Sequence, residues 1–181
     1  MTGMAPTIPL PVIGIVASRY TSTEDTPIQA RLNSEAQACV EIAERYADGL
    51  DGLENFDFAW LLTWLHQPRA DAGPPALRHT PFLLRRQQRK VGIFATRGPR
   101  RVNPIGLSLI RVTGISGRVV HFSGVDLIDG TPVLDIKPYV TRFDRPPGEP
   151  RCGWFDEITI ADGSTPSGLG PADGPIPPDG D

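Results

Sequence analysis

The sequence predicts an all-β fold: a small β-barrel of short strands with one or two short helices and a disordered, acidic Pro/Gly tail. Three observations carry that expectation. The 181 residues suffice for one domain with one core, and 39% of them are hydrophobic, an ordinary globular share. Gly (19) and Pro (20) are far above their usual share, which disfavours a helix bundle and favours short strands joined by tight turns. Apolar runs recur at close spacing between turn residues, and one of them alternates at period two.

Residues 1–10 read as a flexible, Pro-broken leader, 11–144 as the barrel domain, and 145–181 as a mostly disordered tail. The first strand is expected over 11–17 (PVIGIVA), followed by a long polar loop over 18–33. Residues 35–47 fit either a strand followed by a helical turn or one short helix, and 48–55 (DGLDGLEN) are turn chemistry. Over 56–67 the even positions are Phe56, Phe58, Trp60, Leu62, Trp64 and His66. That ladder predicts a strand whose aromatic face is deeply buried, with Trp60 and Trp64 in the core. A helix is not excluded, because Phe56, Trp60 and Trp64 also fall four residues apart, but aromatic enrichment favours a strand.

A loop over 68–75 and strands over 91–96, 107–114, 118–123 and 133–136 complete the expected set. Asp129-Gly130 between apolar runs reads as a two-residue hairpin turn. No run of 18 apolar residues predicts a membrane-spanning helix, so no membrane association is expected. The N-terminus lacks a secretory pattern, and Cys39 and Cys152 make neither a disulfide framework nor a metal cluster. The expected compartment is the cytoplasm, with no metal.

The net charge is −3, yet the charge is unevenly spread. Residues 72–125 contain no Asp or Glu and ten cations, among them Arg85, Arg86, Arg89, Lys90, Arg97, Arg100 and Arg101. The remainder carries −13. Such a split fits a polyanion-binding face on an otherwise acidic protein, which the clustering around a Gly/Pro loop favours over an Arg-rich solvated surface.

Two stretches go beyond turn chemistry. One is Gly92-Ile93-Phe94-Ala95-Thr96-Arg97, continuing through Gly98-Pro99-Arg100-Arg101-Val102-Asn103-Pro104-Ile105-Gly106-Leu107-Ser108; the other is Asp129-Gly130-Thr131-Pro132-Val133-Leu134-Asp135-Ile136-Lys137-Pro138-Tyr139. With Ile13-Gly14-Ile15-Val16, Gly52-Leu53-Glu54, Trp60 and His66-Gln67 in the same order, the chain resembles the TsaA-like family from about Ile13 to Tyr139.

The resemblance implies an S-adenosyl-L-methionine-dependent methyltransferase built on a β-barrel, acting on threonylcarbamoyl-adenosine beside the anticodon of tRNA, and working as a homodimer. It agrees with the missing G-x-G-x-x-G fingerprint. Carried over by motif, it implies cofactor contacts from Gln29 beside Pro27, His66, Gln67, Arg97, Leu107, and Asp129, Gly130, Thr131 and Pro132. Arg85, Arg86, Arg89, Lys90, Arg100, Arg101 and Asn103 are the expected tRNA-facing residues; no catalytic residue is assigned.

His66 also fits a hydrogen-bonded core histidine, and Asn103-Pro104 a plain turn. The acids nearest the motifs besides Asp129 are Asp126 and Asp135, the latter suitably spaced to pair with Lys137. The chain departs from the family pattern at Ile28 (usually Arg), Val102 (usually Pro), 17–20, and 85–90, which lack paired glycines. Transfer to a small anionic metabolite, and a non-catalytic cofactor- or RNA-binding module, are the alternative readings.

Overall fold

The structure, a computed structural model, describes residues 7–66, 74–160 and Thr165. The strands in chain order are β1 (Gly14–Ala17), β2 (Gln37–Ile42), β3 (Phe58–Trp64), β4 (Arg78–His79), β5 (Val91–Gly92), β6 (Ile105–Ser116), β7 (Val119–Ser123) and β8 (Pro132–Pro138). One α-helical turn, α1 (Thr141–Asp144), follows. Six strands close an antiparallel barrel in the order β1-β2-β7-β6-β3-β8, with β8 pairing back onto β1; β4 and β5 form a separate ribbon. Closure removes the unpaired edges that an open sheet of this size would present. The predicted barrel is the observed one, and no helix among the described residues is long and apolar enough to cross a membrane.

The registers fix the direction of every strand. The connections over 18–36, 65–104 and 124–131 therefore all leave from one mouth, while 43–57 and the β6–β7 turn lie at the other end. That turn is the true tight hairpin of the chain. Ser116 pairs with Val119, and Gly117 between them takes a left-handed φ of 57° that only glycine adopts readily.

The barrel is narrow, and its filling shows it. Val16, Val40, Ile42, Leu61, Ile110, Val120, Phe122 and Val133 are buried inside it. Small residues let the walls approach: a Cβ on Gly14 would stand 2.7 Å from the Glu41 backbone oxygen, and one on Gly106 would strike the Thr63 hydroxyl. The interior limit reverses the expected orientation of β3. Ala59, Leu61 and Thr63 face inward at 0% exposure, and the ladder of Phe58, Trp60, Leu62 and Trp64 covers the outer wall. With Phe122 already inside, the interior of the six-stranded barrel takes only the smaller side chains of β3. Outside, they find partial cover: Tyr139 lies against Phe58 and Trp60, and the Arg111 guanidinium sits 4.6 Å from the Phe58 ring centre.

Other expectations change for local reasons. Residues 35–47 are the strand-then-turn alternative, β2 followed by a 3-10 helix over Glu44–Leu50. Only Val91–Gly92 of the expected 91–96 strand pairs; Ile93–Ala95 turn as a 3-10 helix that buries Ile93. Asp129-Gly130 is not a hairpin, because β7 and β8 are not neighbours in the barrel. Gly130 alone is left-handed, at φ 75°, in a turn closed by Thr131 N–H to the Ile128 carbonyl, which is type II rather than I′ geometry.

Thr7–Leu10 are exposed and outside any element. Beyond α1 the chain docks again: a 3-10 helix over Gly153–Glu157 buries Trp154, whose indole N–H donates to the Ala95 carbonyl at 2.8 Å. The tail expected to lack structure thus returns to the barrel as far as this anchor; 161–164 and 166–181 lie outside the described residues.

The inverted β3 faces give a direct test. Urea unfolding of Leu61→Ala is expected to show a loss of about 2–5 kcal/mol, the range for an emptied core site. Trp64→Ala, at a ring 37% exposed, is expected to lose clearly less despite the larger deletion.

Candidate functional site

Three loops with little secondary structure of their own meet at one mouth of the barrel and hold one another. The 124–131 loop clasps the 18–36 loop along its length. Asp129 Oδ1 accepts from the Ser18 N–H at 3.0 Å, and the Asp129 N–H donates to the Tyr20 carbonyl at 2.6 Å. Asn33 donates to the Val125 carbonyl at 3.1 Å and to the Tyr20 hydroxyl at 2.8 Å, and the Gly124 N–H donates to the Ala36 carbonyl at 3.0 Å. Thr131 is buried, its hydroxyl donating to the Ile128 carbonyl, while its own carbonyl accepts from the Val16 N–H at the end of β1.

The third loop joins through Arg97. Its Nε donates to Gln29 Oε1 at 2.7 Å, and one terminal nitrogen donates to the Leu107 carbonyl at 3.2 Å. Arg97 stays exposed, so these bonds aim the guanidinium along the mouth without removing it from solvent. Arg101, half-buried, donates to the Thr96 carbonyl at 2.8 Å and stiffens the loop that carries Arg97. Here Gln29 of the 18–36 loop and Arg97 and Leu107 of the Gly92–Ser108 stretch make one contiguous arrangement.

Beneath it lies a group the sequence analysis left outside the site. Asp126 accepts from the Ser108 hydroxyl at 2.6 Å and from the Ala30 backbone N–H. Burial pushes its carboxyl above the usual 3.8, against the lowering effects of the Ser108 and Ala30 hydrogen bonds and the Arg97 charge. The sequence did carry a signal. Asp126 is the first acid after the acid-free run and is flanked by Val125, Leu127 and Ile128, a carboxylate in an apolar stretch.

The other expected residues divide. Asp129 and Gly130 are exposed at the mouth and Pro132 half-buried, on the turn that also carries Thr131. His66 stands exposed just past β3 at the same mouth, which removes the core-histidine alternative; Gln67 lies outside the described residues. Ile28, where the family usually has Arg, is half-buried, so no cation adjoins Gln29 from that side. Asn103 is exposed in the turn where its carbonyl accepts the Ile105 N–H at 2.7 Å.

The basic stretch is also split. Eight of its ten cations, Arg78 to Arg101, belong to the 65–104 connection at the mouth. Arg111 lies on the outer wall over Phe58, and Arg118 pairs with Glu41 at 2.5 Å at the far end. Arg85 is half-buried, and Arg86, Arg89 and Lys90 are exposed. Arg89 is engaged by Glu157 at 2.6 Å. Asp135 pairs with Lys137 at 2.8 Å, as their spacing suggested.

The charged groups exposed at the mouth, the Arg97 guanidinium and the Asp129 carboxylate, suit the opposite charges of a small zwitterionic molecule. No group of three or more His, Cys, Asp or Glu among the described residues has metal-ligating geometry.

Residues 15–145 match the family described as tRNA-methyltransferase O N-terminal domain. A probable S-adenosyl-L-methionine-binding protein of Pyrococcus abyssi is 36% identical over 145 residues, covering 80% of this chain and 74% of that protein. The tRNA (adenine(37)-N6)-methyltransferase of Mus musculus is 38% identical over 143 residues, covering 74% of this chain and 31% of that protein. The chain thus spans under a third of the length of the mouse enzyme. The crystal structure of TrmO from Pseudomonas aeruginosa superposes with a TM-score of 0.65 at 33% identity, over 82% of this chain and 62% of that one.

A carboxyl whose folded pKa is raised costs the fold stability once it ionises. The cost is absent below about 3.8 and grows as pH rises through the folded value. Asp126→Asn is therefore expected to gain on the parent protein in melting temperature as pH is raised from about 4 to 7. Parallel melting curves for the two proteins across that range would contradict the burial of this carboxyl.

Proposed function

The chain belongs to the tRNA-methyltransferase O family, and we propose that it is an S-adenosyl-L-methionine-dependent methyltransferase acting on an adenine N6 of tRNA. The observation that carries this reading is the convergence of Gln29, Arg97, the Leu107 carbonyl and the 128–131 turn at one mouth of the barrel. Relatives named for S-adenosyl-L-methionine binding and for tRNA adenine methylation, at 36% and 38% identity, support it.

Bound S-adenosyl-L-methionine would supply a methyl group on a sulfonium. The residues of this chain bind and orient. Arg97, aimed by Gln29 and Leu107, suits the donor's carboxylate, and Asp129, fixed by the Ser18 N–H, suits a hydroxyl or amino group. Positioning is the main task of such a site. The acceptor nitrogen must lie in line behind the methyl carbon; as the N–C bond forms, the C–S electron pair returns to sulfur and the N6 proton is lost. An N6 that bears a carbonyl substituent, as in threonylcarbamoyl-adenosine, releases that proton more readily than a plain amine, so a strong protein base is not required. Asp126 lies within the field of Arg97, whose charge offsets part of the rise that burial imposes on that carboxyl.

The cations of the 65–104 connection, Arg85, Arg86, Lys90 and Arg100 among them, form the phosphate-facing rim, and Asn103 lies on the same segment. Arg89 and Arg101, held by Glu157 and the Thr96 carbonyl, serve mainly to shape that rim. His66, exposed at the end of β3, adds to the wall of the donor site. A homodimer would cover the apolar outer face, where Trp64 stands opposite Ile105 and Leu62 opposite Leu107. The cytoplasm, where tRNA is modified, is the matching setting.

In calorimetry, Arg97→Ala and Asp129→Ala are each expected to weaken S-adenosylhomocysteine binding by about tenfold, the scale of one lost charge-assisted hydrogen bond, with both variants still folded and their unfolding midpoints lowered only slightly by the loop contacts removed. Undiminished affinity in both variants would remove the donor from this mouth. Methyl transfer from labelled donor to bulk tRNA, lost in both variants, is the expected activity. Transfer only to small metabolites would replace the tRNA assignment and keep the enzyme. By light scattering, Trp64→Glu is expected to halve the mass in solution; an unchanged mass would place the subunit contact elsewhere.

A further inference from the structure

A second cleft lies beside the donor mouth, and part of its wall comes from outside the span that matches the family, which ends at residue 145. It encloses about 300 Å³ between the 93–97 segment and the 3-10 helix over Gly153–Glu157. Phe94, Thr96 and Arg97 line one side, and Cys152, Trp154 and Phe155 the other.

Phe94 is 80% exposed. The 3-10 turn that buries Ile93 at 1% and Thr96 at 8% turns the intervening Phe94 ring outward. Leaving such a ring in water forgoes its whole burial free energy, and nothing in the fold requires an aromatic there. The opposite wall is rigidly built. Trp154 is buried and tied to the Ala95 carbonyl, and Phe155 stacks on it with ring centres 3.8 Å apart and planes 23° from parallel.

The charge around the cleft is complementary to one class of partner. Phe94 lies inside the acid-free run, between Lys90 and Arg97, with Arg100 and Arg101 following. The acids of the opposite segment are engaged: Glu157 with Arg89, and Asp156 with the Cys152 N–H at 2.9 Å. Aromatic faces set among arginines, at the edge of a mouth that accepts an adenine, suit an unstacked base on a phosphate backbone.

We propose that this cleft stacks one flipped-out base of the RNA chain, a neighbour of the methylated adenine, against Phe94 with Phe155 forming the far wall. The proposal rests on the tRNA reading above. The cleft serves as a clamp that splays the loop, so that the acceptor adenine leaves its own stack and reaches the donor. The returning segment would in this way add an RNA contact to those of the family domain.

Fluorescence anisotropy with a fluorescein-labelled anticodon stem-loop tests it in the full chain. Phe94→Ala is expected to weaken RNA binding about tenfold, the effect of one lost base–aromatic stack. Phe94→Trp is expected to retain the affinity. The slope of log affinity against log salt should be unchanged in Phe94→Ala, because stacking releases no counterions, and S-adenosylhomocysteine affinity should be unchanged as well. Equal RNA affinity for Phe94→Ala and the parent protein would overturn the proposal. So would a loss confined to S-adenosylhomocysteine, which would make the cleft the adenine site of the donor, or a parent protein that does not bind the RNA. Binding is read without turnover, so absence of methyl transfer by an RNA-binding parent protein would count against the enzymatic reading alone.

Discussion

The mouth of this barrel depends on polar contacts between loops that would otherwise be unconstrained. A six-stranded barrel filled by Phe122 and by branched side chains leaves no interior room for a ligand, so a binding site has to be built from the connections. Here those connections are held by each other. Asp129 fixes the start of the 18–36 loop, Asn33 and Asp126 fix its end, and Arg97 joins the third loop through Gln29 and Leu107. Asp126 is the costly member of the set. Burial drives its carboxyl toward the neutral form, and the hydrogen bonds from Ser108 and Ala30 and the charge of Arg97 offset part of that cost.

Strand topology explains why the sites coincide. Alternation of up and down strands around a closed antiparallel barrel sends every second connection to the same end. The two longest connections of the chain, 18–36 and 65–104, are among them. The motifs far apart in sequence therefore meet because of strand parity, and the cationic 65–104 connection rises beside them. The far end keeps only the β6–β7 turn and the 43–57 connection, with Arg118 neutralised by Glu41.

Much of this was legible in the residues. The barrel class and most strand positions follow from local patterns, although the strand expected over 91–96 is reduced to Val91–Gly92. The orientation of β3 was not legible, because Ala59, Leu61 and Thr63 are nearly as suited to burial as the aromatic ladder. Only the width of the closed barrel decides between the faces. Asp129-Gly130 misled for a related reason: the dipeptide permits several turns, and strand order chose type II. The return of Trp154 to the Ala95 carbonyl rests on a single indole in an otherwise polar, Pro-rich segment, too slight a pattern to foresee. Asp126 carried a signal in its apolar neighbours, but its partner Ser108 lies 18 residues away and is joined to it by the fold alone.

Whether a methyl donor sits where these loops converge is the claim on which the rest stands. A crystal structure of the full chain with S-adenosylhomocysteine addresses it most directly. The account predicts density at the mouth, with the carboxylate at Arg97 and further polar contacts at Asp129 and the 128–131 turn. Density instead in the cavity at the opposite end of the barrel, between Ile13, Tyr46, Leu53 and Phe56, would contradict it.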